Sequence, residues 1–472
     1  MLKILQDYQL LLDPVYNFAK KRRVLLYLVG GVLRDLALGR VKQNLDFDFA
    51  IKRGAISFGR ALAKELRAGF VILDKEHGAC RVIKKTKDGF YTLDFTDFRG
   101  KSIEEDLGQR DFTINTLIID PSTGELLDLN GAKADLKNKI IRIAGEKSFS
   151  EDPLRILRAF SFAALLGFKI EPATLKAAKA EKFKLLNVSD ERIRDEFFKI
   201  FASGKSYECI AELDRLKIIE IIFPEIKKMR RIGQGPYHHL DVWQHTLETL
   251  KQLELIFKNN RNSDIRLFLG QLISAERKKE AFLKFAALLH DVGKPATLRR
   301  IDGRTTFHGH ERVGLSLAEG ISKRLKLSNE EIHALKIIVL WHLRPGYLAD
   351  NEILTARAKF RFFRDTGKEA ISVLLLSLAD QRATKGPLTT AQSRVRHEKT
   401  TLRLIREYYR KLKIKKDVRL VNGDDLIKKF KLKPSPLIGK ILSELEELQA
   451  IGKINSKAGA LKAASRFIKV KS

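Results

Sequence analysis

At 472 residues the chain is long enough for about three domains on a prior of roughly 150 residues each, so one compact unit is not expected. Lys plus Arg total 90 against 58 Asp plus Glu, a formal charge of +32, yet 44% of the residues are hydrophobic. That balance excludes a wholly disordered chain and points to a polyanionic partner, nucleic acid above all.

Residues 1–12 place apolar side chains at helical spacing and lack the uninterrupted apolar core of an export signal. No run approaches the roughly 20 apolar residues of a membrane span, and candidates such as 282–289 end at His290 and Asp291. Between 24 and 143 short β-rich runs (VLLYLV, LDFDFAI, FVIL, RVIKK, FYTLDFTDF, TLIID, IIRIA) are broken by Gly and Asp, with helical pattern at 33–38 and 58–66. This predicts an α/β domain over 1–147. After Glu146 strands are expected to stop. LRILRAFSFAALLGF, RIRDEFFKIF, TLETLKQLELIF, AFLKFAALL and IGKILSELEELQ all read as amphipathic helices. The expected divisions are a helical neck over 148–223, a helical domain over 224–385 entered through the connector PEIKKMRRIGQGP, and a basic helical tail over 386–472 that begins at GPLTTAQS. Cys80 and Cys209 can form neither a disulfide framework nor a four-thiolate zinc site, which suits a reducing cytoplasm; both read as buried small side chains.

Two neighbouring features carry chemistry. In LVGGVLRD a strand ends at Gly30 and Gly31 and a helix follows at once. Glycines let backbone N–H groups approach a phosphate, the helix amino end adds a favourable dipole, and Arg34 supplies a charged fork. In NLDFDFAI the period of two sends Asp46 and Asp48 to one face and Phe47 and Phe49 to the core. Two adjacent carboxylates repel unless a cation lies between them, and Mg2+ shared with substrate phosphates is the usual solution.

GG-x-x-R-D followed closely by D-x-D is the signature of the polymerase-β-type nucleotidyltransferases. With RDFTIN (110–115), LLDLNGAKADL (126–136) and EDPLRILRAFSFA (151–163) in that order, the chain resembles the class II tRNA nucleotidyltransferases, or CCA-adding enzymes, and their poly(A) polymerase relatives. The resemblance implies a nucleotidyltransferase head followed by an all-α neck, helical body and helical tail. It implies two-metal transfer from CTP or ATP to a tRNA 3′ end, with Asp46 and Asp48 as Mg2+ ligands and a third carboxylate from Asp94 or Asp97. Asp152 and Arg155 of E-D-x-x-R then read the base edge, about one helical turn apart on one face, while Arg110 and Arg158 bind the triphosphate and Asp111 and Asn115 complete the nucleotide site. ERIRDEFFKIF (191–201) matches a motif that braces that site.

The middle region resembles another family. HHLDVWQHT, ALLHDVGKPAT, TFHGHE, LWHLRP and SLADQRA hold most of the ten histidines. His245, His290, Asp291 and Asp380 reproduce the H…HD…D pattern of HD metal-dependent phosphohydrolases, and His310 and His342 could complete a second metal position. The resemblance implies Ni2+, Mn2+, Co2+ or Fe2+ there and phosphatase chemistry on 2′,3′-cyclic or 2′-phosphate ends. The tail, with Lys433-Pro434-Ser435-Pro436, looks like the family's tRNA anchor.

The expected partners are therefore tRNA, CTP and ATP in the cytoplasm, with no membrane; the oligomeric state stays open. A bacterial poly(A) polymerase acting on diverse RNA ends is the alternative within the same chemistry, and from other classes an RNA-binding scaffold with a dead head or a primary HD hydrolase. Relatives that finish with adenosine carry a flexible loop between a Phe-Arg pair and the R-D motif, which helps the site switch from CTP to ATP. Here only the ten residues GKSIEEDLGQ separate Phe98-Arg99 from Arg110, and most read as helix. The expected product is therefore CC alone.

Overall fold

The computed structural model describes residues 8–40, 46–86, 89–120, 124–274, 277–351, 353–413 and 419–471. The chain divides into two compact units, Met1–Lys205 with Glu212–Ile222 and Ser206–Ala211 with Phe223–Ser472.

The first unit is built on a seven-stranded sheet of order β3-β4-β5-β2-β1-β6-β7. Its strands are β1 (Leu26–Val29), β2 (Asp46–Ile51), β3 (Gly69–Asp74), β4 (Ala79–Thr86), β5 (Gly89–Asp97), β6 (Leu117–Ile119) and β7 (Leu126–Asp128). β2 and β5 run parallel; every other neighbouring pair is antiparallel. Alternation along β2 works as expected: Phe47 and Phe49 are buried, and Phe49 stacks on Phe95 of β5 at 5.0 Å between ring centroids. Helix Ala55–Leu66 closes that face through Phe58, edge-on to Phe95 at 5.3 Å, with helix Gln9–Lys21 packing Phe18 against Phe58 behind it. On the other face Val29, Ala50 and Ile118 pack against Ile103 and Leu107 of helix Ile103–Gly108. Asp48 shares that second face.

Strands do not stop at Glu146. Ile140–Ile141 pairs in parallel with Lys169–Ile170, which lies between helices Arg155–Leu166 and Pro172–Glu181. Two-residue strands bury too little to leave a periodic signal in sequence.

The second unit is helical. Helix Lys279–Leu289 is buried without interruption from Ala281 to Leu289, and Ala370–Ala383 is nearly so, which marks both as central. Helices Val242–Asn259 and Asn329–Trp341 pack against them, and His310–Arg324 packs on Asn329–Trp341. The expected connector 224–236 contains a short helix, Glu225–Met229, anchored by buried Ile226 and Met229. Gly386 N donates to the carbonyl of Tyr237, so the two connectors brace each other. One hairpin, Arg299–Ile301 with Arg304–Thr306, interrupts the helices. Helices Gly423–Phe430, Pro436–Ala450 and Lys457–Lys471 share a separate core of Leu426, Ile441, Leu445, Ala460 and Ala464. Pro436 sits in the first turn of its helix, where its fixed φ and missing N–H carry no cost.

Candidate functional site

In the first unit the register sets the chemistry. Val29 pairs with Asp48, and Asp48 with Asp94, so the end of β1 and three carboxylates meet on the three central strands of the sheet. Gly30 follows with φ 86° and ψ −150°, a conformation open only to glycine, and a Cβ there would stand 2.9 Å from Asp48 Oδ2. The helix Gly31–Ala37 starts beside the carboxylates for that reason.

Asp46 is exposed and accepts a hydrogen bond from Thr92 Oγ1 at 2.5 Å. Burial, with Asp94 and Asp46 adding to it, pushes the Asp48 carboxyl up to about 6. Of the two candidates for the third carboxylate, Asp94 lies beside Asp48, whereas Asp97 accepts from Ala55 N at 2.7 Å and caps a helix. Arg81 holds Asp94 with both ends of its fork, at 2.8 and 2.7 Å.

Next to this cluster opens a cavity of about 410 Å³ lined by Gly30, Gly31, Asp48, Arg110, Asp152 and Arg158, among others. It brings together every expected nucleotide-binding residue, but their partners differ from expectation. Arg34 is buried, donating to Asp35 Oδ1 at 2.7 and 2.9 Å and to Asn115 Oδ1 at 2.7 Å. Asn115 Nδ2 in turn donates to Asp111 Oδ1, and Asp111 Oδ2 pairs with Arg158 at 3.0 Å. This relay fixes the cavity wall, so Arg34 holds the wall together as well as lining it. Arg110 is aimed by Asp106, buried on helix Ile103–Gly108, at 2.9 Å.

Asp152 and Arg155 do not share a helix face. Asp152 is extended backbone after helix Ser148–Glu151, and the next helix starts at Arg155. Proline at 153 forces that break. Arg155 turns inward and donates to the carbonyls of Gln109 and Ser148 at 3.0 and 3.3 Å. The Asp152 carboxylate is instead gripped by Arg192 of helix Asp190–Phe201 at 2.9 Å. Sequence reasoning missed Arg192, as it missed Arg81, Arg99 and Phe162. Phe162 carries Arg34 and Arg158 over its ring at 5.0 and 5.5 Å. Only the repeated arginines of ERIRD hinted at Arg192.

The second unit holds a buried cluster. His245 rises from the first turn of Val242–Asn259, His290 ends Lys279–Leu289, Asp291 follows it, and His310 and His342 lie at opposite ends of their helices. Asp291 faces both sides. Its Oδ2 lies 3.2 Å from His290 Nε2 and 3.8 Å from His245 Nε2, while Oδ1 lies 3.4 Å from His310 Nε2 and 3.7 Å from His342 Nε2. Asp380 Oδ1 joins the first group, 2.8 Å from His245 Nε2. Two groups that could hold a metal thus share one carboxylate: His245, His290 and Asp291, and Asp291, His310 and His342.

The donor set fits such ions. His290, His310 and His342 each direct Nδ1 to the carbonyl three residues back, at 2.7–2.9 Å, leaving Nε2 buried with no hydrogen-bond partner and aimed at the centre. That is how a metal-facing imidazole is oriented. Gly293 makes the turn possible, since a Cβ there would stand 2.1 Å from the His310 carbonyl. Three neighbours escaped sequence reasoning. Lys294 Nζ bonds Asp291 Oδ2 and Gln234 Oε1, both at 2.6 Å, and His238 stands edge-on to His245 at 4.8 Å, held down to about 3 by burial and then by His245 and Lys294.

Comparison with known proteins finds a matching domain for each of these regions. The Poly A polymerase head domain matches residues 26–142, the HD domain 242–385, and tRNA nucleotidyltransferase domain 2 residues 317–464. Among solved structures, a CCA-adding enzyme in complex with ATP aligns over 99% of this chain and 98% of its own at a TM-score of 0.68 and 20% identity. A CCA-adding enzyme of Thermotoga maritima complexed with tRNA(CCA) aligns over 99% and 96% at 0.65 and 21% identity. These likenesses establish the fold. The CC-adding tRNA nucleotidyltransferase of Thermus thermophilus is 28% identical over 92% of this chain and 91% of its own. The A-adding tRNA nucleotidyltransferase of Deinococcus radiodurans is 31% identical over 91% of this chain and 92% of its own, and on that match the chain belongs to the tRNA nucleotidyltransferase family.

Proposed function

We propose that the chain transfers nucleotides from CTP or ATP to the 3′ end of tRNA in the cytoplasm. The observation that carries this reading is the row of Asp46, Asp48 and Asp94 beside the Gly30 turn and the arginine-lined cavity. Asp46 and Asp48 are the residues to hold Mg2+, which when bound lowers the pKa of the attacking 3′-hydroxyl and neutralises charge on the α-phosphate and pyrophosphate. The Gly30–Gly31 turn presents backbone N–H groups to the triphosphate, and Arg110 and Arg158, aimed by Asp106 and Asp111, donate to it. Asp152 accepts from the base edge. Arg192 fixes the rotamer of that carboxylate, and Arg155 braces the turn beneath it. The poly(A) polymerase alternative is not favoured, because relatives matched over nine-tenths of their length add nucleotides to tRNA.

The product we favour is CC. The link from Phe98 to Arg110 is fully folded: Arg99 N donates to Asp106, Lys101 N to Glu105, and Ser102 caps helix Ile103–Gly108, leaving no loop to switch from CTP to ATP. Similarity to the A-adding relative supports a second reading, addition of the final adenosine alone. Purified protein given tRNAs ending at the discriminator base, after one C and after two, with each nucleoside triphosphate singly and together, separates them. A full CCA product from the first tRNA defeats both.

In the second unit His245, His290, Asp291 and Asp380, with His310 and His342, are the residues to hold one or two transition-metal ions, Ni2+, Mn2+, Co2+ or Fe2+. An ion bound there would activate a water for hydrolysis of a 2′,3′-cyclic or 2′-phosphate end, in which a P–O bond would form to water and the ester P–O bond would break, its oxygen taking the proton. Lys294, bonded to Asp291, brings a positive charge to that centre.

A further inference from the structure

The hairpin Arg299–Ile301/Arg304–Thr306 emerges between Asp291 and His310, the metal-facing residues on either side of it in sequence. Both of its ends are rooted in that centre. Before it, Lys294 bonds Asp291 and Thr297 Oγ1 donates to the Gly293 carbonyl; after it, the Phe307 carbonyl orients His310 Nδ1. His310 lies six positions after Arg304, so the two are at most ~20 Å apart along the chain.

Asp302 and Gly303 turn the hairpin with positive φ at both positions, the geometry that suits two-residue loops. The register sets Arg299 opposite Thr306 and Ile301 opposite Arg304, so Arg299, Ile301 and Arg304 stand on one face and Arg300 on the other. Diagonal neighbours such as Arg299 and Arg304 lie about 7–8 Å apart. All three arginines are exposed, and among the described residues none of their guanidinium groups has a carboxylate partner. An isolated two-stranded hairpin is marginal on its own, and like charges on one face weaken it further. The arginines therefore add no ion pair to the hairpin. Their spacing suits two anionic groups in succession, each met by a planar fork.

We propose that this arginine hairpin is the rim on which a phosphodiester chain rests as its end enters the metal centre of the second unit, so that the centre acts on RNA ends in preference to free nucleotides. The proposal rests on the hydrolase reading of that centre. Its test uses an RNA stem-loop ending in a 2′,3′-cyclic phosphate with 4-thiouridine placed a few nucleotides before that end, irradiated with the full chain in EDTA, where nothing turns over. Crosslinks are expected on the peptide spanning 298–307, with yield reduced at least about tenfold in the R299Q/R300Q/R304Q protein, whose nucleotide addition stays normal. With Mn2+ the same variant should show KM raised about tenfold or more for the stem-loop and unchanged hydrolysis of 2′,3′-cyclic AMP. Crosslinks confined to other peptides, or equal losses on both substrates, overturn the proposal. Retained hairpin crosslinks with no hydrolysis by the wild type overturn only the hydrolase reading and leave the RNA rim standing.

Discussion

Asp48 lies between two other carboxylates, Asp46 on its own strand and Asp94 across the β2/β5 ladder, and burial raises its pKa to about 6. The folded protein therefore holds this proton more tightly than the unfolded chain, whose aspartates titrate near 4. This carboxyl by itself should contribute stability as pH falls from about 6 toward 4 and impose the full cost of its charge at pH 7, at most about 3 kcal/mol, a contribution read as the difference between wild type and Asp48→Asn. Asp48→Asn should raise the thermal midpoint in EDTA at pH 7 and flatten that pH dependence while abolishing nucleotide addition; a midpoint that falls instead would show the carboxylate to be stabilising. At the neighbouring position two arginines separate by role. Arg155→Ala empties a buried guanidinium site that satisfies two carbonyls and should cost about 2–3 kcal/mol of stability in denaturant melts. Arg192→Ala leaves stability nearly unchanged, since exposed pairs contribute little, and should instead loosen discrimination among CTP, ATP, UTP and GTP by releasing Asp152.

At the scale of elements, two glycine turns position both centres. Gly30 lets a helix begin against Asp48, and Gly293 lets the His290–Asp291 turn approach within van der Waals distance of helix His310–Arg324. Gly293→Ala should therefore push apart the two groups that share Asp291. Its signature is the loss of Ni2+- or Mn2+-dependent thermal stabilisation, with nucleotide addition unchanged. The α/β character of the head and the helical body were legible from periodicity, because strands with one buried face and amphipathic helices write their period into the sequence. The parallel pairing of β2 with β5 was not. It depends on contacts between residues 46 apart, and it alone decides that Asp94 and not Asp97 joins the pair.

For the whole molecule, no helix among the described residues is long and apolar enough to cross a membrane. The +32 charge predicts steep salt dependence of tRNA binding, log K falling with log salt by roughly 0.7–0.9 for each phosphate neutralised. Replacing Lys428, Lys429, Lys431 and Lys433 with Gln should lower that slope by up to about 3 and raise KM for tRNA without changing kcat; an unchanged slope removes the tail from the interface. In the second unit, Ni2+ or Mn2+ at about 100 times its dissociation constant should add about 2.7 kcal/mol of stability, and His290→Ala should abolish that gain.

The sequence alone picked out the candidate residues that the fold brings together, since paired carboxylates, a glycine turn and clustered histidines are local features. What those residues touch was decided only by the tertiary structure. Proline 153 breaks the helix that would have aligned Asp152 with Arg155, so an inward turn satisfies buried carbonyls with Arg155 and hands Asp152 to Arg192, 40 residues away. Arg34, expected to reach a phosphate, is held by Asp35 and Asn115 because a buried guanidinium must have its donors paired. Asp291 faces two groups of histidines because the helices that carry them converge on one turn, a long-range geometry that no spacing along the chain encodes.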